Sequence, residues 1–503
     1  MPSSGSPTDA GEASKGHAFK GVALSGGAQI VRLAAQVVSV VLLARLLEPS
    51  DFGVFAMVMV IVNLGGLLQN FGLGQAVVQK QVLTSGQVGA VFWISSTLGV
   101  MLGAVVAATS PIVSTLYNEP RAGALSLGAA GLLAIAGIAN AQLAILNRRM
   151  MFGALAAIDV ASALVGLVVA LTAAILGARE WALLLGTGSS QATILAGTWI
   201  ASGWLPTERP DFRGVSQMLR FGSRVAASQI AEFVSRNADN ALIGMFSGVG
   251  QLGLYDRAYK LLLFPVQQVN MPLGRVLLPI LSRLQEEPER YRQVYLRAIR
   301  QVMLVTQPGI VFLGMSAPML IDFLLGPKWA GAAPIFAWLA IAALHQPVST
   351  TMNWLFISQG RADAYLVWSL FSAATCVLSF GIGLQWGAVG VAAAYALSDV
   401  LVRLPVLLWL VTRRGPVRLS QVLGAAAPFA AATLGSAGAL VLLRGLHMQP
   451  AAASLLVGAC CSYVVSISTI SAFPTGRRAL GDAASIVSSA VRDLRTVRRR
   501  KPI

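Results

Sequence analysis

The chain alternates long apolar runs with short polar connections. Windows of roughly 20 residues, enough for a helix to cross about 30 Å of hydrocarbon, pick out apolar stretches at about 22–44, 52–72, 87–110, 123–146, 154–177 and 181–204. A second set follows at about 218–246, 252–281, 301–325, 332–357, 364–384, 387–411, 420–443 and 451–473. The pattern predicts an all-α integral membrane protein with about 14 transmembrane helices, because only helices satisfy every backbone polar group within a single segment in lipid. Several stretches carry enough polar residues to be re-entrant instead of spanning, so about 12 spans is the other count.

Connections are mostly short, and none has room for a soluble domain of about 50 residues or more. The most polar short one, "LPTERPDFRGVSQML" from Leu205 to Leu219, holds two prolines, and four of its first nine residues are charged. It marks a boundary after six helices. An ungapped internal similarity agrees with that boundary. At an offset of 200, the segment from Gly27 aligns with the segment from Ala227, pairing Gln29 with Gln229, Ile30 with Ile230, Leu42 with Leu242, Gly53 with Gly253 and Phe55 with Tyr255. A repeat of six helices, an even number, keeps its orientation in the membrane, so the two copies are expected to be related by a pseudo-two-fold axis along the bilayer normal. The identities are few, and generic helix composition is the competing explanation. The expected organisation is a disordered cytoplasmic tail at 1–20, an N-terminal lobe at 21–204, a cytoplasmic linker at 205–217, a C-terminal lobe at 218–412, two added helices within 413–473 and a basic cytoplasmic tail at 474–503.

Composition agrees: 56% of the 503 residues are hydrophobic, 11% are charged and the mean hydropathy is +0.71, so a bilayer and not water surrounds this chain. The net charge of +17 is unevenly spread. With a cytoplasmic N-terminus and alternating helices, 24 of the 37 Lys and Arg fall on the inner side; only Arg45, Arg121, Arg179, Lys328 and Arg444 face outward. This bias places both termini in the cytoplasm. The basic clusters flank membrane segments and form no folded soluble domain, which disfavours a nucleic-acid partner. The first 20 residues have no apolar run and are not a signal peptide. Cys376, Cys460 and Cys461 lie inside predicted helices and read as small packing residues. After Gly476, Leu480, Ala484, Val487, Val491 and Leu494 recur at helical spacing beside basic residues. Two readings stand side by side for this tail, an amphipathic helix on the anionic inner leaflet and a disordered tail that only sets topology.

Ionisable groups inside spanning helices cost on the order of 3 kcal/mol each and ordinarily face a cavity or a partner. The seventh stretch holds Arg224, Ser228, Glu232, Ser235, Arg236, Asp239 and Asn240. At 100° per residue they form one polar stripe about 160° wide, from which Asn237 departs. Arg236 reaches Glu232 and Asn240 one turn away on either side, and Asp239 lies at i+3. A self-neutralised network that holds helices together is one reading of this stripe, and the wall of a substrate chamber is the other. The first stretch carries Gln29, Arg32 and Gln36 on one face, with Arg32 the repeat mate of Glu232. The eighth adds Arg257, Lys260 and Arg275; Arg257 and Lys260 lie near its outer end, where snorkelling is the other reading, and its Pro265, Pro272 and Pro279 recur every seven residues, which predicts bending.

Summed over these three stretches, the cations Arg32, Arg224, Arg236, Arg257, Lys260 and Arg275 outnumber Glu232, Asp239 and Asp256. A cationic chamber suits an anionic substrate, and the planar fork of arginine binds phosphate oxygens in pairs. An Asp399–Arg403 pair at i, i+4 reads as structural, and His345 reads as a hydrogen-bonded packing residue. No P-loop, Rossmann fingerprint, His-Glu-x-x-His or nucleophile elbow occurs, so no cofactor is expected and metal or serine chemistry is disfavoured.

The strings Arg-x-x-Asp-Asn at 236–240, Leu-Gly-x-Tyr at 252–255 and Leu-Pro-x-Leu-Ser-Arg-Leu at 278–284, with "LLARLLEPSDFGVFAMVMVIVNLGGLLQNFGLGQAVVQ" from Leu42, carry a further signal. Here the chain resembles the Wzx-type lipopolysaccharide and exopolysaccharide flippases of the multidrug/oligosaccharidyl-lipid/polysaccharide (MOP) exporter superfamily. The resemblance implies a MATE/MOP-like fold of two lobes around a cationic cavity. It also implies alternating-access translocation of an undecaprenyl-pyrophosphate-linked oligosaccharide across the bacterial inner membrane, and carries Arg32, Arg236 and Arg275 over as cavity arginines. Membrane lipids, a polysaccharide polymerase and chain-length machinery are the partners it implies; enzymatic activity is not expected. In this sequence Arg236 stands between Glu232 and Asp239, so part of its charge is neutralised locally. A drug or cation antiporter of the same fold is expected to have an acidic cavity. A membrane polymerase or glycosyltransferase is expected to have long outward loops, and the longest here is about a dozen residues.

Overall fold

The computed structural model describes residues 7–70, 84–211, 215–445 and 450–499. Every regular element among them is helical. The chain divides into two compact units, Met1–Gly253 and Leu254–Ile503.

In the first unit, α1 (Pro7–Leu46), α2 (Pro49–Asn70), α3 (Ser85–Ala108), α4 (Ser110–Leu116), α5 (Pro120–Arg148), α6 (Phe152–Ile175) and α7 (Glu180–Ser202) follow the predicted apolar stretches. The first helix begins at Pro7, well before the apolar run, so regular structure extends into the Ser- and Gly-rich segment expected to be a tail. Helix α3 opens with a reciprocal cap, Thr84 Oγ1 accepting from the Gln87 N–H and Gln87 Oε1 from the Thr84 N–H. Helices α2, α3 and α5 are tied at depth by Gln69, whose Nε2 donates to the carbonyls of Leu133 (3.0 Å) and Ser95 (3.4 Å). Ser95 Oγ in turn donates to the Gly137 carbonyl at 3.0 Å. Polar side chains between lipid-embedded helices act as glue where no hydrophobic force separates helix from lipid.

Helix α8 (Val215–Arg283) corresponds to the seventh and eighth predicted stretches. Its break is at Gly248, whose φ of 82° and ψ of 172° suit a residue without a Cβ. The helix start at Pro49–Gly53 and the segment Val249–Gly253 after the break are repeat mates, and they meet reciprocally. A Cβ on Gly53 would lie 2.7 Å from the carbonyl carbon of Val249, and one on Gly253 would lie 2.7 Å from that of Pro49. Each glycine thus abuts the residue offset by 200 from the one abutting its mate.

The second unit contains α9 (Pro288–Met315), α10 (Ala317–Leu325), α11 (Ala332–Ala343), α12 (Gln346–Ser358), α13 (Ala362–Gly383), α14 (Gly387–Ser398), α15 (Leu404–Arg413), α16 (Leu419–Arg444), α17 (Ala451–Ser471) and α18 (Pro474–Arg499). Helices α11 and α12 occupy one predicted stretch with a 40° bend at the break, and α14 and α15 are joined through a π-helical turn, Asp399–Arg403. Tyr291, Tyr295, Phe356 and Phe429 are fully buried in the core of this unit. The two helices predicted to lie outside the repeat pack on α9 near Pro308, which has no N–H to offer its own ladder. There Ser462 Oγ donates to the Pro308 carbonyl (2.7 Å), Tyr463 to that of Val305 (3.0 Å), and Ser436 and Ser466 share a 2.7 Å hydrogen bond. Helix α18 docks on α9 through Arg297–Asp482 at 3.0 Å and Gln301 Nε2 to the Ala479 carbonyl at 2.9 Å. By length and composition, nine of the described helices are able to cross a bilayer, ten with the bent pair counted as one span.

Candidate substrate-binding site

In the first unit, Arg32 and Gln36 are exposed on α1 and Gln29 is half-buried, while Ala35, Leu43 and Ala44 of the same helix are buried. On α8, Arg236 is exposed, Asn240 half-buried and Asp239 buried. Asp239 Oδ1 accepts from the Asn240 N–H at 2.8 Å. Asn237, the residue outside the predicted stripe, folds its Nδ2 back onto the Phe233 carbonyl at 2.9 Å, which satisfies it within its own helix. The side chains of Arg224, Ser228, Glu232, Ser235 and Arg275 lie outside the described residues.

The second unit changes the count of cations. Asp256, 3% exposed, receives Arg257 Nη2 at 2.8 Å on Oδ2 and Lys260 Nζ at 2.7 Å on Oδ1. Counting cations along the chain treats Arg257 and Lys260 as available for an anion. In the structure they neutralise one buried carboxylate, and a carboxylate buried beside two cations is the arrangement that makes its charge tolerable. Tyr255 and Tyr259 stack one turn apart beside this cluster, with ring centroids 6.2 Å apart.

Two polar clusters were not assembled by reading the chain. At one end of the first unit, Asp51 before the first turn of α2 is complete, Glu119 and Arg121 at the start of α5, and Arg179 and Glu180 at the start of α7 form a charge network. Arg121 Nε is 2.9 Å from Glu119 Oε1, its Nη1 is 3.5 Å from Asp51 Oδ1, and Arg179 Nε is 3.3 Å from that same oxygen. The hydrogen bond from the Arg121 guanidinium holds the Glu119 carboxyl below the usual carboxylate range. Arg179 adopts a left-handed φ of 48°, uncommon for a residue with a Cβ, in the turn that aims it at Asp51. The available signal was Pro or Glu at three helix starts, but nothing in the chain says that these starts adjoin. The second cluster joins His345, in the break between α11 and α12, with Asp399 and Arg403 of the π-helical turn between α14 and α15. Among the described residues, no group of three His, Cys, Asp or Glu side chains is placed to hold a metal ion.

The chain is similar to known proteins over much of its length. Residues 42–334 match the profile of the polysaccharide biosynthesis protein family. The lipopolysaccharide biosynthesis protein WzxC of Escherichia coli (strain K12) is 23% identical over 392 residues, covering 76% of this chain and 78% of that one. The teichuronic acid biosynthesis protein TuaB of Bacillus subtilis (strain 168) is 26% identical over 67% of this chain and 70% of its own. The succinoglycan biosynthesis transport protein ExoT of Rhizobium meliloti (strain 1021) is 26% identical, with 67% and 68% covered. Among solved structures, the lipid II flippase MurJ in an inward closed conformation superposes with a TM-score of 0.72 at 13% identity, over 90% of this chain and 98% of that one. An inward-facing multidrug MATE transporter of the MOP superfamily gives 0.57 at 14% identity, over 78% and 99%. The expected MOP-type fold is therefore the fold found, and with more than half its length inside the family match, the chain belongs to the polysaccharide biosynthesis protein family.

Proposed function

We propose that this protein is a flippase that carries an undecaprenyl-pyrophosphate-linked oligosaccharide repeat unit across the bacterial inner membrane for polysaccharide synthesis, without covalent change to it. The observation that carries this reading is the exposed Arg32 within Gly27–Leu46, a segment of α1 long and apolar enough to cross a bilayer, together with Arg236, exposed on α8. A cation within lipid is costly unless water, a protein partner or an anionic ligand meets it, and arginine matches a pyrophosphate in both charge and geometry. Gln29, Gln36 and Asn240 neighbour these arginines along their helices and supply amides for sugar hydroxyls. Arg224 and Arg275 are proposed as further phosphate contacts. Glu232 and Asp239 serve as charge partners that keep Arg236 from holding the product too tightly. Arg257 and Lys260, held by Asp256, shape the protein around the substrate and do not bind its phosphates. The relatives WzxC, TuaB and ExoT, named for lipopolysaccharide, teichuronic acid and succinoglycan, support the polysaccharide class.

Release follows when alternating access exposes the arginines to the other side. A polysaccharide polymerase with its chain-length machinery then takes the repeat unit. The positive-inside distribution supports cytoplasmic termini, and the basic helix α18, which begins within three residues of α17, lies along the anionic inner leaflet in this reading. The test is charge reversal, Arg32→Glu and Arg236→Glu. Each variant is expected to insert normally yet to abolish polysaccharide export and leave lipid-linked repeat units on the inner leaflet. Export at the wild-type rate from both variants would remove the proposal.

A further inference from the structure

Two arginine-rich segments of the second unit meet at the junction of α9 and α18. Helix α9 carries Arg290, Arg292, Arg297 and Arg300 ahead of its predicted apolar stretch, which begins at 301. Helix α18 starts at Pro474, just after α17 ends at Ser471, and has Arg477 and Arg478 near its start with no acidic residue in the first turn, where the helix dipole is already positive. Packing brings the segments together. Gly476 permits the tight approach, since a Cβ there would lie 2.7 Å from Ile470 Cγ2 and 2.8 Å from its carbonyl carbon. Ala479 joins Ile470 in the buried core, and Gln301 Nε2 donates to the Ala479 carbonyl.

The junction holds more positive charge than it neutralises. Arg290 and Arg292, farther from the apolar stretch, are paired with Glu287 (3.3 Å) and Glu289 (2.8 Å). The surplus is therefore confined to the residues nearest the bilayer. Arg297 Nη2 is 3.0 Å from Asp482 Oδ1 and 3.4 Å from Ser485 Oγ. Arg300 Nη2 is 3.9 Å from Asp482 Oδ2, beyond hydrogen-bond reach. The Arg300 side chain is 18% exposed, and its Nε is buried with no hydrogen-bond partner among the described residues. Arg478 is exposed and close enough to act on Arg300 electrostatically. Three guanidiniums thus share one carboxylate, and the donor left without an acceptor is a buried one, the unfavourable case.

An anion that offers several oxygens where an apolar helix begins would satisfy this junction. Phe473, between α17 and α18, and Ile486, one turn past Asp482, are exposed beside the arginines. A free inorganic ion has no use for them, whereas the glycerol and acyl chains of a lipid cover them. A zwitterionic headgroup would bring its own ammonium to a positive site, so the complementary lipid is anionic. We propose that Arg300 and Arg478 hold the phosphate of one anionic phospholipid at the α9–α18 junction while Asp482 keeps Arg297, so that lipid and ion pair together dock α18. The site does not depend on what the protein carries; its place on the inner leaflet rests on the topology in the function proposed above.

The test is hydrogen–deuterium exchange of the full-length protein in maltoside micelles titrated with phosphatidylglycerol or, separately, phosphatidylcholine. Phosphatidylglycerol is expected to slow exchange of the amides at 479–486 saturably, and phosphatidylcholine to leave it unchanged. Arg300→Gln and Arg478→Gln are each expected to raise the half-saturating phosphatidylglycerol fraction about fivefold, the factor equivalent to about 1 kcal/mol per basic residue at an anionic surface. Arg290→Gln, outside the junction, is expected to leave it in place. Arg478 is exposed, so its variant reports even where Arg300→Gln fails to fold. Equal protection by the two lipids overturns the site, and so does an equal loss in Arg290→Gln, because diffuse charge then accounts for binding. Protection by inorganic phosphate alone, or displacement of phosphatidylglycerol by equimolar undecaprenyl pyrophosphate, also overturns it, the first in favour of a free-anion site and the second in favour of a substrate site. A membrane-impermeant maleimide is expected to label Ser489→Cys only from the cytoplasmic side. Labelling from outside overturns the inner-leaflet placement and the topology of the proposed function, and leaves the lipid site measured in micelles standing.

Discussion

Adding a single methyl at the reciprocal glycine contact gives a direct measure of how closely the two repeat segments approach. In Gly53→Ala the new Cβ would sit 2.7 Å from the Val249 carbonyl carbon and 3.1 Å from its Cα, and in Gly253→Ala it would sit 2.7 Å from the Pro49 carbonyl carbon and 3.1 Å from the Gly53 nitrogen. Carbon atoms in contact rest at about 3.5–4.0 Å, and the carbonyl oxygen of Val249 or Pro49 lies nearer still to the new Cβ, so main chain must move by more than about 1 Å in either variant. The neighbours are backbone and have no rotamer in which to escape. Overpacking of this kind costs about 1–3 kcal/mol, and the upper end applies when only backbone is available to yield. Alanine recovers up to about 1 kcal/mol of helix propensity, which leaves a net loss of about 2 kcal/mol for each variant.

The double variant is expected to lose less than the sum of the two, because one separation of the segments relieves both clashes. The assay is the temperature at which the detergent-purified protein loses its monodisperse chromatographic peak. Gly131→Ala serves as the control, since nothing lies within 4 Å of the Cβ it introduces on α5. A fall of several degrees is expected for Gly53→Ala and Gly253→Ala, with none for Gly131→Ala. If the two contact variants match the control, or if their losses add in full, the reciprocal contact is not what holds these segments together.

Three further outcomes follow from other contacts. Ser462→Ala removes the hydroxyl that donates to the Pro308 carbonyl and is expected to cost about 0.5–2 kcal/mol, read as a lower unfolding temperature and faster proteolysis in the α16–α17 region. Arg361 donates from Nη1 to the Val411 carbonyl (3.1 Å) and from Nη2 to that of Leu410 (2.7 Å); Arg361→Lys cannot span both, and a loss of about 1 kcal/mol is expected in the same unfolding measurement. Because Arg121 depresses the folded-state value of Glu119, that carboxylate adds stability above its unfolded value of about 4.3, and the contribution disappears as pH falls through the lower folded value. Glu119→Gln is therefore expected to lower stability at pH 7 by less than about 1 kcal/mol, since the pair is partly solvated, and to flatten the dependence between about pH 5 and 3.

Helix identity and placement were legible in the residues because apolar length is a local property, and a backbone in lipid has one regular way to satisfy itself. The α8 break fell between the seventh and eighth stretches as predicted, but on Gly248, where positive φ is cheap, and not at Pro265, Pro272 or Pro279. Of the polar stripe of α8 the described residues include only Arg236, Asp239 and Asn240, and Asn237, which the periodicity set apart from it, bonds to the Phe233 carbonyl of its own helix. What periodicity cannot reveal is which faces of separate helices meet. Arg257 and Lys260 look available along the chain, yet both turn to Asp256. His345 looked like a packing residue and Asp399–Arg403 like a local pair, although 54 positions separate His345 from the carboxylate it touches. Gly53 and Gly253 were visible as repeat mates, and only the packed chain shows each pressed against the other's segment. By itself the sequence determined the helices and the positive-inside bias, set by interactions within a few residues and with the solvent. The tertiary structure decided which charges are spent on one another and which stay exposed, because an ion pair forms across space and its members need no common position in the chain.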